Sequence, residues 1–162
     1  QIGDAGIVAF AGAIGSGSMG SLQKLYLNDN QIGDAGMAAF AEALKPNPSN
    51  PMGSLANLTI LNLNTNRIGN AGMIAFADAI KPTDEIPMGA LANLTNLQLF
   101  NNQIGDEGMT AFSSALSSGA LRSLQTLWVD NGSMGVDHPA LKVVCEARGI
   151  NYPRWRIFNM DL

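Results

Sequence analysis

One six-residue phrase, written four times, limits what this chain can fold into more than any other feature. It reads Gln1-Ile-Gly-Asp-Ala-Gly6, Gln31-Ile-Gly-Asp-Ala-Gly36, Arg67-Ile-Gly-Asn-Ala-Gly72 and Gln103-Ile-Gly-Asp-Glu-Gly108, with successive copies 30, 36 and 36 residues apart. A fixed period of this size means stacked supersecondary units, none of which can bury its apolar face alone.

A second pattern precedes each phrase after the first. It runs Leu22, Leu25, Leu27, Asn30, Ile32, then Leu58, Leu61, Leu63, Asn66, Ile68, then Leu94, Leu97, Leu99, Asn102, Ile104. A fourth copy is degraded: Leu124, Leu127 and Val129 are followed by Gly132 and Met134 where Asn and Ile should stand. The apolar pair two residues apart has strand periodicity. After each phrase the period becomes helical, as in Met37, Phe40, Ala41 and Leu44, or Met73, Phe76, Ala77 and Ile80. Asp4, Asp34, Asn70 and Asp106 precede these helices and are expected to be their N-caps. Gly33, Gly36 and their equivalents are expected to adopt unusual backbone angles and to permit close packing between units.

The whole pattern, L-x-x-L-x-L-x-x-N-x-I-G-D-x-G followed by a helix, resembles the ribonuclease-inhibitor type of leucine-rich repeat. The resemblance runs from residue 1 to about residue 152. It implies an α/β solenoid: a right-handed β-α superhelix with a curved parallel sheet inside and helices outside. It also implies that Asn30, Asn66 and Asn102 form a ladder of buried amides serving the turn backbone. The expected layout is one repeat domain over 1–152 and a tail over 153–162. The domain comprises a partial repeat at 1–15, repeats from about 22, 58 and 94, and a cap from about 124. The chain starts midway through a repeat, so further repeats are expected before residue 1. Residues 137–148 read as a last helix, with Gly149 as C-cap and Ile150 packed behind it. The connections at 45–51 and 81–87 read as Pro-stiffened surface loops.

Bulk properties narrow the function. The net charge is −4, only 14% of residues are charged, and no block of Lys or Arg exists. That argues against nucleic acid and anionic membranes. Apolar runs are too short and too interrupted for membrane insertion. The lone cysteine, Cys145, rules out an internal disulfide. An intracellular, cytoplasmic location is expected.

Catalytic chemistry finds little support, and the chain is not expected to be an enzyme. Cys145 and His138 are unique and stand seven positions apart on one helix, about 10.5 Å along its axis, too far for a thiolate–imidazole pair. They read as a core residue and a helix-start residue. No cluster has metal-ligand spacing, and no cofactor or small-molecule substrate is expected. Gly15-Ser-Gly-Ser-Met-Gly20 matches a dinucleotide fingerprint literally, but it follows a helix and precedes a strand, the reverse of the required order. Asn57-Leu-Thr59, Asn93-Leu-Thr95 and Asn131-Gly-Ser133 match a glycosylation pattern; the first two share one repeat position, and repetition explains them.

Two surfaces remain. Residues between the core leucines point outward from the sheet. They form the columns Tyr26, Asn62, Gln98, Trp128, then Asn28, Asn64, Phe100, Asp130, then Lys24, Ile60, Asn96, Thr126. Asp29, Thr65, Asn101 and Asn131 could extend this patch. Exposed aromatic rings on a rigid sheet are typical interface anchors. Tyr152, Trp155 and Phe158 in the last segment either fold back over the final repeat or dock on a neighbour. The leading expectation is a protein-binding module working through its concave face. The alternative is a structural subunit of a larger assembly, held through loops and tail. A GTPase-activating regulator is a remote third reading, suggested only by relatives that share the repeat.

Overall fold

The computed structural model describes residues 1–47, 53–129 and 138–152. Strand and helix alternate: α1 (Gly3–Gly15), β1 (Lys24–Tyr26), α2 (Asp34–Leu44), β2 (Ile60–Asn62), α3 (Asn70–Ile80), β3 (Asn96–Gln98), α4 (Asp106–Ser117), β4 (Thr126–Trp128) and α5 (Pro139–Arg148). The strands form one parallel sheet in chain order, and Leu25, Leu61, Leu97 and Leu127 stand side by side across it. Each helix packs on the next in the same order. Parallel strands sit about 4.8 Å apart and packed helices about 8–10 Å, so the stack curves with the sheet inside.

The core lies between the layers and has a row for each repeat position. Leu27, Leu63, Leu99 and Val129 are buried from the sheet side, and Phe40, Phe76 and Phe112 from the helix side. A further row escaped the sequence reading. Leu55, Leu91 and Leu121 are also buried, and all three have left-handed backbone, with φ of 58°, 56° and 48°. That conformation costs a non-glycine residue about 1–2 kcal/mol, while burying a leucine contributes about 1.5–3 kcal/mol. Burial therefore holds the strained turn that feeds β2, β3 and β4.

The asparagine ladder joins turn to turn. Asn66 Nδ2 donates to the carbonyls of Leu27 (2.9 Å), Leu63 (3.0 Å) and Asn64 (3.2 Å). Its Oδ1 accepts from the N–H groups of Asn30 (3.2 Å) and Ile32 (3.0 Å). Asn102 Nδ2 serves Leu63 O (3.0 Å) and Leu99 O (2.9 Å), and its Oδ1 takes the Ile68 N–H (3.1 Å). Asn30 does the same one unit earlier, accepting from Ile2 N–H (3.0 Å).

The acidic helix-start residues behave differently from the sequence expectation. They do not cap their own helices; Gly33, Gly69 and Gly105 hold the N-cap positions of α2, α3 and α4, with no side-chain cap bond. Each reaches into the next repeat instead. Asp4 accepts from Gly33 N–H (2.6 Å), Asp34 from Gly69 (2.7 Å) and Gly72 (2.8 Å), and Asn70 from Gly105 (2.8 Å) and Gly108 (3.1 Å). The cap is thus supplied in trans by the neighbouring unit. Asp106 has no such glycine partner among the described residues and meets His138 Nδ1 at 3.3 Å.

This explains the glycines, and it confines the expected left-handed backbone to the first copy of the phrase, at Gly3 (φ 61°). The backbone of Gly33, Gly69 and Gly105 is extended, with no positive φ. What these units require is space. A Cβ on Gly72 would stand 2.7 Å from Asp34 Oδ1 and 3.1 Å from the Asp34 backbone. Glycine to alanine in a helix ordinarily stabilises by about 0.5–1 kcal/mol. We expect that gain from Gly12→Ala in α1, where an added Cβ meets nothing within 4 Å. Gly72→Ala should instead destabilise by about 1–3 kcal/mol, because overpacking outweighs propensity. Thermal melts of the two variants check the opposite signs.

The loop over 81–87 is less superficial than its composition suggests. Ile86 is buried, and an added Cβ on Gly53 would lie 3.2 Å from its Cδ1. Of the 45–51 loop, only Lys45, Pro46 and Asn47 are described. At the far end, Gly149 caps α5 in the left-handed conformation (φ 66°) and Ile150 is buried behind it.

Candidate interaction surface

Three-residue strands set the outward face. Lys24 and Tyr26 flank the buried Leu25, and the same alternation places Ile60 and Asn62, Asn96 and Gln98, and Thr126 and Trp128 outward on the other strands. The register aligns Tyr26, Asn62, Gln98 and Trp128 in one row. Asn28, Asn64 and Phe100 form the adjoining row beyond the strand ends. Tyr26 is 56% exposed and Phe100 37%, while Trp128 is half-buried. Asp130 and Asn131 lie outside the described residues.

Amides fill the centre of the face and bond to one another. Asn64 Nδ2 donates to Gln98 Oε1 (3.0 Å) and Gln98 Nε2 to Asn96 Oδ1 (3.1 Å). Backbone N–H groups also contribute: Phe100 donates to Asn64 Oδ1 (2.7 Å) and Asn64 to Asn62 Oδ1 (2.9 Å). Asn28 Nδ2 turns aside to Asp29 (2.7 Å). These bonds hold the polar side chains in place, so binding here would cost little side-chain entropy. Asp29, Thr65 and Asn101 mark the rim, all with left-handed backbone (φ 59°, 54° and 56°).

The second candidate surface is only partly described. Asn151 extends the sheet by one bridge to Thr126, its N–H donating to Gln125 O (2.8 Å) and its carbonyl accepting from Leu127 N–H (3.0 Å). Tyr152 is half-buried against the core. Trp155 and Phe158 lie outside the described residues. On the helical side, an apolar groove of about 630 Å³ runs between α4 and α5, lined by Leu116, Ala140, Val143, Val144 and Ala147. Arg148 closes one end. Its guanidinium donates to Leu116 O (3.0 Å), Ala120 O (2.7 Å) and Leu121 O (2.6 Å), satisfying carbonyls at the end of α4. A single arginine in a helix gave no sequence signal for this clamp.

Cys145, His138 and the glycine-rich run occupy structural positions. Cys145 is buried in the core, and burial pushes its thiol up to about 11. The protonated thiol is a poor nucleophile at neutral pH. Iodoacetamide at pH 8 should therefore label Cys145 at least about 100-fold more slowly in the folded chain than in denaturant. Because the folded pKa lies above the unfolded one, the neutral thiol contributes stability that is complete below about pH 8.5 and lost as pH rises toward about 11. His138 stands at the α5 N-cap position and is buried, its Nδ1 facing Asp106 and its Nε2 without a hydrogen-bond partner among the described residues. Gly15 ends α1, and the glycine-rich run beyond it forms the turn toward β1.

The Asn-Leu-Thr triplets prove to be rungs between repeats. Asn57 Nδ2 donates to Gly20 O (2.7 Å) and Asn93 Nδ2 to Ala56 O (2.9 Å). The Thr59 and Thr95 hydroxyls donate to Gln23 O (2.9 Å) and Thr59 O (3.0 Å). Among the described residues, no three metal-ligating side chains of His, Cys, Asp or Glu come together, and no helix is long and apolar enough to cross a membrane.

Comparison with known proteins agrees with this geometry. A family model described as Leucine Rich repeat matches residues 21–41, 54–77 and 90–113, one match per complete unit. No curated protein matches the chain. Among solved structures, one titled leiomodin-1 actin-binding site 2 is similar, with a TM-score of 0.63 and 17% identity, covering 90% of this chain and 71% of that one. At that identity the likeness concerns the fold. Three family matches in register with three strand–helix units make this chain a leucine-rich-repeat protein, folded as an α/β solenoid.

Proposed function

We propose that the chain binds another protein through the concave face of its sheet. The observation that carries this reading is the placement of three aromatic rings, Tyr26, Phe100 and Trp128, around a hydrogen-bonded amide patch on a rigid surface. Lys24, Asn28, Asn62, Asn64 and Gln98 complete the patch; Asp130, the remaining sequence candidate, lies outside the described residues. Large rings held by a sheet offer apolar contact area at low entropic cost, which is why they dominate interface energetics. A protein-binding role also suits the repeat family, and the leiomodin fragment of similar fold is named as an actin-binding site. Within the family we assign the chain to the ribonuclease-inhibitor-like subtype, because its spacings of 36 residues accommodate a full helix in each unit.

The test is a pull-down from native extract, comparing wild type with the triple variant Tyr26→Ala, Phe100→Ala, Trp128→Ala. Specific partners should be lost with the circular dichroism spectrum unchanged. Retention of every partner would reject the concave face. A second comparison addresses the assembly-subunit reading, which the apolar groove beside α5 favours. A chain lacking 153–162 should keep its partners under the concave-face reading and lose them if Tyr152, Trp155 and Phe158 form a docking hook.

A further inference from the structure

We infer that the concave face is built to take an extended, uncharged peptide segment, whose main-chain carbonyls accept hydrogen bonds from the amides of Asn62 and Asn96. This rests on the concave-face reading above and specifies the chemistry of the partner.

The argument begins with the direction of the amide relay. A backbone N–H can only donate, so the group it meets must be an oxygen. Phe100 N–H at 2.7 Å therefore fixes which side of the Asn64 amide is Oδ1. Asn64 Nδ2 must then be the donor to Gln98, which fixes Gln98 Oε1. Gln98 Nε2 in turn donates to Asn96 and fixes Asn96 Oδ1. The relay ends on Asn96 Nδ2, which has no partner among the described residues. The Asn64 N–H fixes Asn62 Oδ1 in the same way and leaves Asn62 Nδ2 unpartnered among the described residues. The oxygens of all four amides are thus already engaged by the protein's own donors, and two complete NH2 groups are left over.

The face is consequently a donor array, and its described part is almost free of charge. Among the described residues of the three outward columns, Lys24 is the only ionised one. Such a surface suits an acceptor that is polar but uncharged. A peptide carbonyl fits, since it accepts without donating, and an extended segment presents carbonyls and side chains alternately along its length. A carboxylate would lose its hydration with no countercharge at the amides to compensate. A sugar hydroxyl must donate as well as accept, and each amide oxygen it would meet already takes one of the protein's own donors, so the match is poorer than for a carbonyl. Tyr26 on one flank, with Phe100 and Trp128 on the other, supplies apolar contact for the segment's side chains.

The test uses a displayed library of random peptides selected on the whole chain, followed by titration of labelled selected peptides. Selection should enrich peptides with no Asp, Glu, Lys or Arg in the bound stretch. Their Kd should change less than about twofold between 50 and 500 mM NaCl, because no charge pair is there to be screened. The double variant Asn62→Asp, Asn96→Asp keeps both accepting oxygens and replaces both NH2 groups, so it should weaken binding at least tenfold. If the double variant melts early, Asn96→Asp alone, at the end of the relay, should still weaken binding several-fold. Enrichment of acidic peptides with steep salt dependence, failure to enrich any peptide, or binding to a glycan array instead would overturn the inference. The two levels separate cleanly. Peptides that bind the Tyr26, Phe100, Trp128 triple variant as tightly as wild type reject the concave face itself. Peptides lost by the triple variant but kept by the Asp variants reject only the donor array.

Discussion

Phe76→Ala should lower the unfolding free energy by about 3–5 kcal/mol, the range for deleting a fully buried ring that leaves a cavity. Phe76 is 0% exposed and stands in α3 with complete repeats on both sides. Its ring stacks on Phe112 at 6.4 Å between centroids. Phe40 occupies the same position in α2 and is also buried. A site with repeats on both flanks has little freedom to collapse around a void. Phe10, the same repeat position in α1, is only half-buried. Phe10→Ala should therefore cost clearly less, about 1–2 kcal/mol by the smaller area it covers. Urea unfolding followed by circular dichroism measures both. Equal losses at the two positions would contradict a core that is continuous through the central repeats.

Asn66→Ala has the second large effect, about 3 kcal/mol or more. The side chain is buried and serves three carbonyls and two N–H groups in two repeats. Its removal leaves several of these groups without partners in a place water enters poorly, and each orphaned group costs about 1–3 kcal/mol. Partial relaxation keeps the total below a simple sum. Asn30 is half-buried and, among the described residues, its side chain makes two bonds, to Ile2 N–H and Asn28 O. Asn30→Ala should lose about 1 kcal/mol. The ordering of the two variants tests the ladder more sharply than either value alone.

Much of this architecture was legible because repetition amplifies weak signals. Leu25 and Leu27 alone could belong to any strand, but the same spacing at Leu61, Leu63, Leu97 and Leu99 fixes register and sheet order together. The outward columns followed from alternation, which a three-residue strand preserves. What could not be read was geometry across the repeat boundary. Asp34 stands where a helix cap belongs, and only the packed structure places its carboxylate over the next unit's Gly69 and Gly72. The left-handed Leu55, Leu91 and Leu121 were hidden for a related reason: leucine has no local preference for that backbone, and burial in the assembled core decides it. On the candidate surface, residue types were evident but the amide relay was not, since its direction depends on which backbone N–H meets which oxygen. Arg148 shows the same limit, because its three carbonyl partners lie 27 to 32 residues earlier in the chain.

The central claim, that the sheet face is the working surface, is tested most directly by hydroxyl-radical footprinting of the chain alone and bound to its captured partner. Tyr26, Phe100 and Trp128 should each lose reactivity in the complex, while Val143 on α5 and Met88 in the helix-to-strand connection, both exposed, keep theirs. Protection confined to Val143 and Met88, with the three rings as reactive as before, would contradict the account.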